Sequence, residues 1–500
     1  MKNNEKKYIM SIDQGTTGST VMLLDQAGRL VAKATKDYKQ IYPEPGWVEH
    51  NPEDIWQSVE AAALECLQKN NIMPEEILTI GITNQRETVV AFKKSTQEIL
   101  HNAIVWQCRR TSKMCDQLRK KWSVKIKSKT GLVLDPYFSA TKMRWLIENI
   151  PAVQQALKQN DLAFGNIDTF LMSRLSQGKI FATDVSNASR TMLMNLKTCT
   201  WDGELLKLFK VPITSLPEIK SSSGFFGSTA AHSFVAKDTP ITGVAGDQQS
   251  ALFGQTCFSE GESKCTFGTG SFILMNTGTK ILKSKAGCLT TVAWRLNNGK
   301  TQYALEGGAF ICGAAVAWLR DGLGIIKTSS EVEALAQQVS STDGVEFVPA
   351  LTGLGAPHWN AEARGEITGL TRGTTKAHIA RATLEAIALQ NADILLAMQK
   401  DLKKKMKSLR VDGGASANNL LMQLQCDYIQ IAVDRPRQIE TTAIGAAYLA
   451  GLGIGHWKNL DEIRSIWKKD SEFKPKLSAS LVNKRRLSWG LAVKKALKTN

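Results

Sequence analysis

The chain contains no apolar run of about 18 residues, the length that a helix needs to cross a bilayer. Residues 1–7 are charged and lead directly into a short strand-like run that ends at Asp13. A secretory signal would need a longer apolar core. We therefore expect no stable membrane insertion and no secretory signal.

Cysteine is present without a disulfide or metal-binding pattern. The nine cysteines include no Cys-x-x-Cys pair, and Cys108 and Cys115 lack a matching pair of histidines. An odd number without framework spacing predicts reduced thiols in a cytoplasm. We expect a cytoplasmic protein without a zinc site.

Two common nucleotide-binding motifs are missing. Gly299-Lys300-Thr301 ends like a P-loop, but residue 294, where the leading Gly belongs, is Trp294. The pattern Gly-x-Gly-x-x-Gly fails twice, because Lys327 and His358 occupy the last position. P-loop and Rossmann folds are therefore disfavoured.

The charge is one-sided. Sixty-three Lys and Arg against 46 Asp and Glu give a formal charge of +17, which is compatible with a nucleic-acid partner. The basic clusters at residues 403–405 and 484–486 lack interleaved aromatics, however. A solvated basic surface that weakly steers anionic nucleotides is favoured, with no nucleic-acid partner.

The chain is organised around residues 13–20, Asp-Gln-Gly-Thr-Thr-Gly-Ser-Thr, which lie between apolar runs at 8–12 and 21–24. Short apolar runs bounded by Gly and small polar residues predict strands. Asp13 then stands at a strand end, beside a turn whose backbone N–H groups and hydroxyls suit a phosphate. Its carboxylate suits Mg²⁺, directly or through water. The alternative is an ordinary polar hairpin.

The same order of strand, Gly/Thr/Ser turn and strand returns at residues 264–276, with Phe267 where the first copy has its acid. Two facing hairpins, one with a carboxylate, indicate an ATP clamp with two phosphate-binding turns and one metal side. Repetition makes this interpretation stronger than either copy alone.

Polar residues also follow two predicted strands. Arg86 and Glu87 follow a strand at 77–83, and Asp247 follows another at 241–246. Ligands collect at the carboxyl ends of strands in open α/β sheets. Arg86 and Glu87 therefore predict a donor and acceptor for a polar substrate, and a surface ion pair is the alternative.

Other segments predict helices, strands and one domain boundary. Asn51 and Pro52 predict a helix to about residue 70. The remaining predictions are a strand at 103–107, helices at 109–122 and 166–175, a boundary near 253–260, a small-residue helix opening at 306–309 and continuing through 313–319, a strand, Gly turn and helix start at 409–418, and a helix at 441–454.

Assembled in order, these motifs resemble the FGGY carbohydrate kinase family, and they extend over nearly the whole chain. They lie at residues 13–17, 81–87, 106–110, 135–138, 246–249, 268–270, 365–372 and 411–414. The resemblance implies an α/β protein of two RNase H-like domains of the actin-type ATPase class, with the active site in the cleft between them. Residues 1–253 would form the glycerol and magnesium/phosphate side, and residues 254–500 the ATP side.

The resemblance also implies the reaction and its residues. It implies ATP-dependent phosphorylation of glycerol to sn-glycerol 3-phosphate, the first step of glycerol catabolism, with ATP and Mg²⁺ as cofactors and a homo-oligomer, dimer or tetramer. Asp247 would be the catalytic base and Asp13 would serve the metal. The other implied residues are Arg86, Glu87, Tyr137, Asp247 and Gln248 for the glycerol hydroxyls, Trp106 and Phe272 for its carbon face, Thr16, Thr17 and Gly18 for phosphates, and Thr269, Gly313, Gly414 and Asn418 for ATP.

The chain departs from the family pattern at a few positions. Thr20 replaces the usual Arg of the phosphate hairpin, and Ala317 replaces the Gln of many members, so nucleotide affinity is in question. The Gly-Gly-Thr-Arg loop linked to fructose 1,6-bisphosphate control is missing around residues 230–239, and we do not expect that regulation.

Two alternatives remain at this point. One is a kinase of another small polyol or ketose in the same family. The aromatic residues Trp106, Tyr137 and Phe272 and the Arg86-Glu87 pair argue against it. The other is an actin-like or heat-shock-like ATPase, which would leave Trp106 and Tyr137 without a purpose.

Overall fold

The structure is a computed structural model that describes residues 6–297, 299–360 and 362–498. The strands of its first half are β1 (Tyr8–Gln14), β2 (Gly18–Leu24), β3 (Leu30–Asp37), β4 (Glu49–His50), β5 (Ile77–Asn84), β6 (Val89–Lys93), β7 (Ile99–Ile104), β8 (Leu162–Gly165), β9 (Ala182–Asp184), β10 (Met194–Asn195), β11 (Thr200–Trp201), β12 (Glu218–Lys220), β13 (Ser223–Ser228) and β14 (Pro240–Gly246). Its helices are α1 (Pro52–Lys69), α2 (Ser112–Thr130), α3 (Ser139–Asn149), α4 (Pro151–Lys158), α5 (Ile167–Leu175), α6 (Val185–Ala188), α7 (Gly203–Phe209) and α8 (Asp247–Gly254).

The second half continues with nine strands in the described residues: β15 (Ser263–Phe267), β16 (Ser271–Gly278), β17 (Leu289–Arg295), β18 (Thr301–Ala309), β19 (Glu346–Val348), β20 (Glu366–Thr368), β21 (Ser408–Asp412), β22 (Ala432–Pro436) and β23 (Lys469–Phe473). The helices are α9 (Gly313–Asp321), α10 (Glu331–Ala336), α11 (Lys376–Leu402), α12 (Asn419–Ile429), α13 (Thr441–Gly453), α14 (Leu460–Ile466) and α15 (Ala479–Ala496).

The two main sheets follow one plan. The first has the order β13-β14-β5-β1-β2-β3, and the second β17-β18-β16-β15-β21-β22-β23. In each, an antiparallel set of three (β1-β2-β3 or β15-β16-β18) adjoins two parallel strands (β5 and β14, or β21 and β22). This duplicated α/β arrangement confirms the predicted fold class of two RNase H-like units.

Helices α8 and α13 lie between the sheets, in an apolar core to which both halves contribute. Their backbones approach closely, because a Cβ added at Gly445 would overlap the carbonyl oxygen of Ser250. Gly81 faces Ala446 in the same way. Helix α13 therefore packs against the first sheet although it belongs to the second half of the sequence.

Several predicted elements have the expected bounds. The hairpins, β5, β14, α1 and α13 form where the apolar runs predicted them, and Asn51 caps α1 by accepting from the Glu53 backbone N–H. Helix α5 also forms after Asn166, but the Asn166 side chain donates to the Thr88 carbonyl oxygen instead of capping the helix.

Three predicted elements are wrong in extent. The strand expected at 103–107 is β7, which ends at Ile104, so Trp106 lies in the following turn. The helix expected from 109 begins at Ser112, because the Arg109 backbone N–H bonds to the Gly46 carbonyl oxygen, 2.8 Å away. Residues 306–309 end strand β18, and helix α9 starts only at Gly313.

All nine cysteines are buried, and none forms a disulfide. None of the helices in the described part of the chain combines the length and apolar character of a bilayer span. The predicted domain bounds, 1–253 and 254–500, stay a prediction.

Candidate active site

Two acids lie at the carboxyl edge of the first sheet. Asp13 of β1 is in register with Thr83 of β5, and Thr83 is in register with Ala245 of β14, two residues before Asp247. The parallel alignment of these strands therefore brings Asp13 and Asp247 to the same edge.

The environment of Asp13 disfavours its negative charge. Burial raises the pKa of Asp13 to about 8, and the charges of Asp247 and Glu440 contribute in the same direction. Only Lys33 opposes them appreciably. A carboxylate held this way gains from a cation, so its chemistry fits a Mg²⁺ ligand.

Asp247 is paired with a buried arginine. Nε of Arg86 lies 2.9 Å from Oδ1 of Asp247, whose side chain is 30% exposed while that of Arg86 is 2% exposed. The Arg86 contact is an ion pair without hydrogen-bond geometry, whereas the Gln248 backbone N–H donates a hydrogen bond to Oδ1, at 2.6 Å. The Asp247 carboxylate is thus partly exposed to solvent while it is ion-paired with the buried guanidinium of Arg86.

Arg86 belongs to a network of buried charges. Its Nη1 and Nη2 donate to the two oxygens of Glu306 on β18, at 2.8 and 2.9 Å. Arg190 donates from Nη2 to Glu306 at 3.0 Å and from Nε to Glu87 at 2.7 Å. Glu87 adopts a left-handed backbone, φ +63°, that turns it inward beside Arg86.

An aromatic wall adjoins these charges. The ring centroids of Trp106 and Tyr137 are 5.6 Å apart, those of Trp106 and Phe272 are 6.3 Å apart, and both pairs are edge-to-face. Nη2 of Arg86 is 3.4 Å from the Tyr137 hydroxyl oxygen. Trp106 and Tyr137 come from the first half of the chain (β1 to α8, called the first lobe). Phe272 comes from the second half (β15 to α15, called the second lobe), so both lobes build the wall.

Gln248 is held from the second lobe. The buried Nζ of Lys264 on β15 donates to Oε1 of Gln248, and to Oγ1 of Thr266 at 2.7 Å. Burial lowers the pKa of Lys264. The Gln248 side chain is consequently fixed by a neighbour that the sequence motifs did not identify.

Each of the two hairpin turns is closed by the N–H of a glycine, but over a different length. Gly15 donates its N–H to the Gly18 carbonyl oxygen at 2.9 Å, and Gly268 donates to that of Gly270 at 2.9 Å. Thr16 and Thr17 lie within the first turn, and Thr269 within the second. Two residues lie between the bonded glycines of the first turn and one in the second, so the turns share their residue types and position in the sheet but not their geometry.

The start of helix α9 is tied to the second turn. Gly313 donates its N–H to the Gly268 carbonyl oxygen at 2.9 Å, and Ala314 donates to that of Thr269 at 3.0 Å. Gly313 therefore lies beside Thr269, as expected, although its own N–H is already used.

Gly414 and Asn418 follow β21, the parallel neighbour of β15. Gly413 has φ +83° and packs against Phe267, whereas a Cβ added at Gly414 would meet no atom within 4 Å. Oδ1 of Asn418 caps α12 by accepting from the Leu421 N–H at 2.8 Å. This strand end thus has room at Gly414 for a ligand.

Three buried charged residues of the site were missed in the motif search: Arg190, Lys264 and Glu306. Lys264 and Glu306 are charged residues inside predominantly buried strands, and a buried charge needs a partner. That contrast was a usable signal for both. Arg190 stands in a short polar stretch without periodicity, so nothing local singles it out.

The family profiles match both halves of the chain. Residues 8–254 match the N-terminal domain of the FGGY family of carbohydrate kinases, and residues 263–454 match its C-terminal domain. The chain belongs to the FGGY carbohydrate kinase family. The resemblance inferred from the motifs is thereby confirmed.

Individual FGGY proteins are similar over the full length. A glycerol kinase of Bdellovibrio bacteriovorus is 59% identical over 489 residues, covering 98% of this chain and 99% of that protein. The structure of Plasmodium falciparum glycerol kinase with ADP superposes with a TM-score of 0.92 at 38% identity, covering 99% of each chain. A ligand-bound xylulose kinase of Lactobacillus acidophilus reaches a TM-score of 0.88 at 25% identity, again over 99% of each.

The two departures from the FGGY pattern have definite positions. Oγ1 of Thr20 lies 2.9 Å from that of Thr35 across the strand pair, which replaces a cation by a short hydroxyl contact. Ala317 lies one turn after Gly313 on α9, and both are half-buried.

Proposed function

We propose that this chain is a glycerol kinase, which transfers the γ-phosphoryl group of ATP to glycerol and yields sn-glycerol 3-phosphate and ADP. The observation that carries the proposal is the partly exposed Asp247 on buried Arg86, beside Glu87 and a narrow aromatic wall. Relatives named glycerol kinase share its length and fold.

The polar groups account for the choice of a small polyol. Glycerol offers little apolar area, so its recognition depends on hydrogen bonds to its hydroxyls. Glu87, Tyr137, Asp247 and Gln248 supply donors and acceptors beside the charge of Arg86, whose terminal N–H groups are used within the protein. A ligand that leaves such buried groups unpaired is rejected strongly. Trp106 and Phe272 face the carbon chain and exclude longer sugars.

Asp247 acts as the general base. It accepts the proton of a terminal hydroxyl while that oxygen bonds to the γ-phosphorus of ATP and the bond to the β–γ bridging oxygen breaks. ADP leaves with the electron pair of that bond. Arg86, which is buried, holds Asp247 in place through their ion pair.

The nucleotide is bound by both lobes. Thr16, Thr17 and Gly18 bind phosphates from the first lobe, and Thr269, Gly313, Gly414 and Asn418 line the ATP site in the second. Both turns contain Gly and Thr and are closed by a glycine N–H, at Gly15 and Gly268, which supports two phosphate-binding segments. Backbone N–H groups and hydroxyls there balance developing phosphate charge.

Mg²⁺ would be held by Asp13, whose raised pKa reports a carboxylate in need of a cation. Mg²⁺ at phosphate-transfer sites is usually held by one or two carboxylates together with water and substrate phosphates, and Asp13 would be such a carboxylate. When bound, Mg²⁺ neutralises phosphate charge.

The cytoplasmic location, the homo-oligomeric state and the two domain ranges belong to the same proposal. Buried, unpaired cysteines agree with a reducing compartment. Size-exclusion chromatography with light scattering tests the oligomer.

A coupled ADP-release assay with MgATP tests the function. We expect ADP release only with glycerol, and a glycerol 3-phosphate product by mass spectrometry. Release without any acceptor would favour an ATPase, and release with xylulose or ribitol but not glycerol would favour a kinase of another polyol or ketose.

A further inference from the structure

Glu306 is a second-lobe residue that contacts the catalytic centre of the first lobe only through arginines. It lies in β18, between β16 and β17, opposite Leu274 and Leu289. The carboxylate is 3% exposed and reaches Arg86 and Arg190 across the cleft. A charge in a central, apolar strand has no packing advantage, so its partners must explain it.

The contact with Arg86 is of the fork type. Both oxygens of Glu306 accept from the two terminal nitrogens of one guanidinium, at 2.8 and 2.9 Å. This geometry fixes the guanidinium plane as well as its position. Nη1 also donates to Gln249 and Nη2 to the Tyr137 hydroxyl. Nε is the Arg86 nitrogen nearest Asp247, at 2.9 Å from Oδ1, and this contact is an ion pair without hydrogen-bond geometry.

Arg190 completes the arrangement. Its Nη2 donates to Oε1 of Glu306, the oxygen that also accepts from Nη2 of Arg86. Its Nε donates to Glu87. Burial would raise the pKa of Glu306, but Arg190 and Arg86 outweigh it and hold that pKa below the ordinary value. Glu306 is therefore ionised, and its charge is shared between the two arginines.

We infer that Glu306, supported by Arg190, is a positioning residue for glycerol phosphorylation: it holds Arg86 so that a single nitrogen contacts Asp247. Without Glu306, the terminal nitrogens of Arg86 turn toward Asp247 and occupy the carboxylate that must accept the substrate proton. The inference rests on the proposed function.

The arrangement also links the lobes. Arg86, Glu87 and Asp247 belong to the first lobe, but their geometry depends on a carboxylate of the second. A buried pair contributes little net stability compared with an apolar replacement. Orientation of the substrate-binding groups is thus its main effect.

The principal variant is Glu306→Gln, which keeps shape and size but loses the charge. We expect kcat/KM for glycerol to fall about 10- to 100-fold, the range for a misplaced reacting group, while KM for ATP changes less than about twofold. Glu306→Asp keeps the charge on a shorter stem, and we expect it to restore part of the lost kcat/KM.

Glu385→Gln is the matched control. Glu385 is also buried and also shared by two arginines, with Nε of Arg381 at 2.8 Å and Nε of Arg485 at 2.7 Å, but it lies in the second lobe away from Asp247. We expect this variant to lower the melting temperature and leave the kinetic constants for glycerol unchanged.

The outcomes separate the two ideas. If the wild-type chain releases no ADP with glycerol, the proposed function fails. If the wild type is active and Glu306→Gln behaves like Glu385→Gln, the positioning role is wrong. Should Glu306→Gln not fold, Glu306→Asp decides: wild-type kcat/KM for glycerol overturns the inference, and a selective loss supports it.

Discussion

Nε1 of Trp106 donates a hydrogen bond to Oγ1 of Thr16, 3.0 Å away. The indole belongs to the wall proposed for the glycerol carbons, and the threonine to the turn proposed for phosphates. One hydrogen bond therefore joins the segments proposed to bind the two substrates.

Replacing the base tests the chemistry. Asp247→Asn keeps the size of the side chain but cannot accept the proton, and we expect kcat to fall by about 10²- to 10⁴-fold. Binding of ATP, measured by calorimetry, stays close to wild type. Wild-type turnover in this variant refutes the assignment of Asp247.

Asp13 gives a pH-dependent stability. The folded chain keeps the Asp13 proton up to about pH 8, whereas the unfolded chain loses it near the ordinary value of 3.8. Between these pH values the folded state binds more protons, so this group's contribution to the free energy of unfolding falls as pH rises. We expect Asp13→Asn to lose less stability than wild type between pH 5 and pH 8, measured by denaturant unfolding in EDTA. Equal changes in both proteins contradict the prediction.

Substitutions of two glycines, Gly246 and Gly414, test the proposed glycerol site and the proposed ATP site separately. A Cβ at position 246 would lie 2.6 Å from Cγ of Arg86, whereas one at position 414 meets open space. We expect Gly246→Ala to raise KM for glycerol by displacing Arg86. Gly414→Ala should leave the fold intact and raise KM for ATP. Initial-rate kinetics with each substrate varied check both predictions. A raised KM for ATP in Gly246→Ala and a raised KM for glycerol in Gly414→Ala would contradict the site assignment.

The aromatic wall sets the length of the substrate. Trp106→Ala opens space beside Tyr137 and Phe272, so we expect kcat/KM for glycerol to fall. The ratio of erythritol to glycerol activity should rise about tenfold, within the range for pocket-size discrimination. An unchanged ratio shows that the wall does not select chain length.

The packing of α13 on α8 predicts a stability effect. Gly445→Ala forces the helices apart at the Ser250 carbonyl oxygen, which should cost about 1–3 kcal/mol. Gly490→Ala on α15, where a Cβ meets nothing within 4 Å, is the control and should stabilise by about 0.5–1 kcal/mol. Denaturant unfolding measures both, and equal effects contradict the packing argument.

Local patterns determined the hairpins, β5, β14, α1 and α13, because apolar periodicity and turn residues act over a few residues. They also determined that Asp13 lies at the carboxyl end of a strand and that Arg86 and Asp247 follow strands. The extent of β7, the start of α2 and the strand at Glu306 depended on long-range contacts, such as the bond from Arg109 to Gly46.

Sequence alone thus determined the family and the duplicated fold, and it predicted the candidate site residues that occur in contiguous motifs. The tertiary structure decided how those motifs are oriented, since Arg190, Lys264 and Glu306 act from distant positions in the chain. The physical reason is that a buried charge is specified by its partner in space, and the sequence places Arg86 and Glu306 220 residues apart.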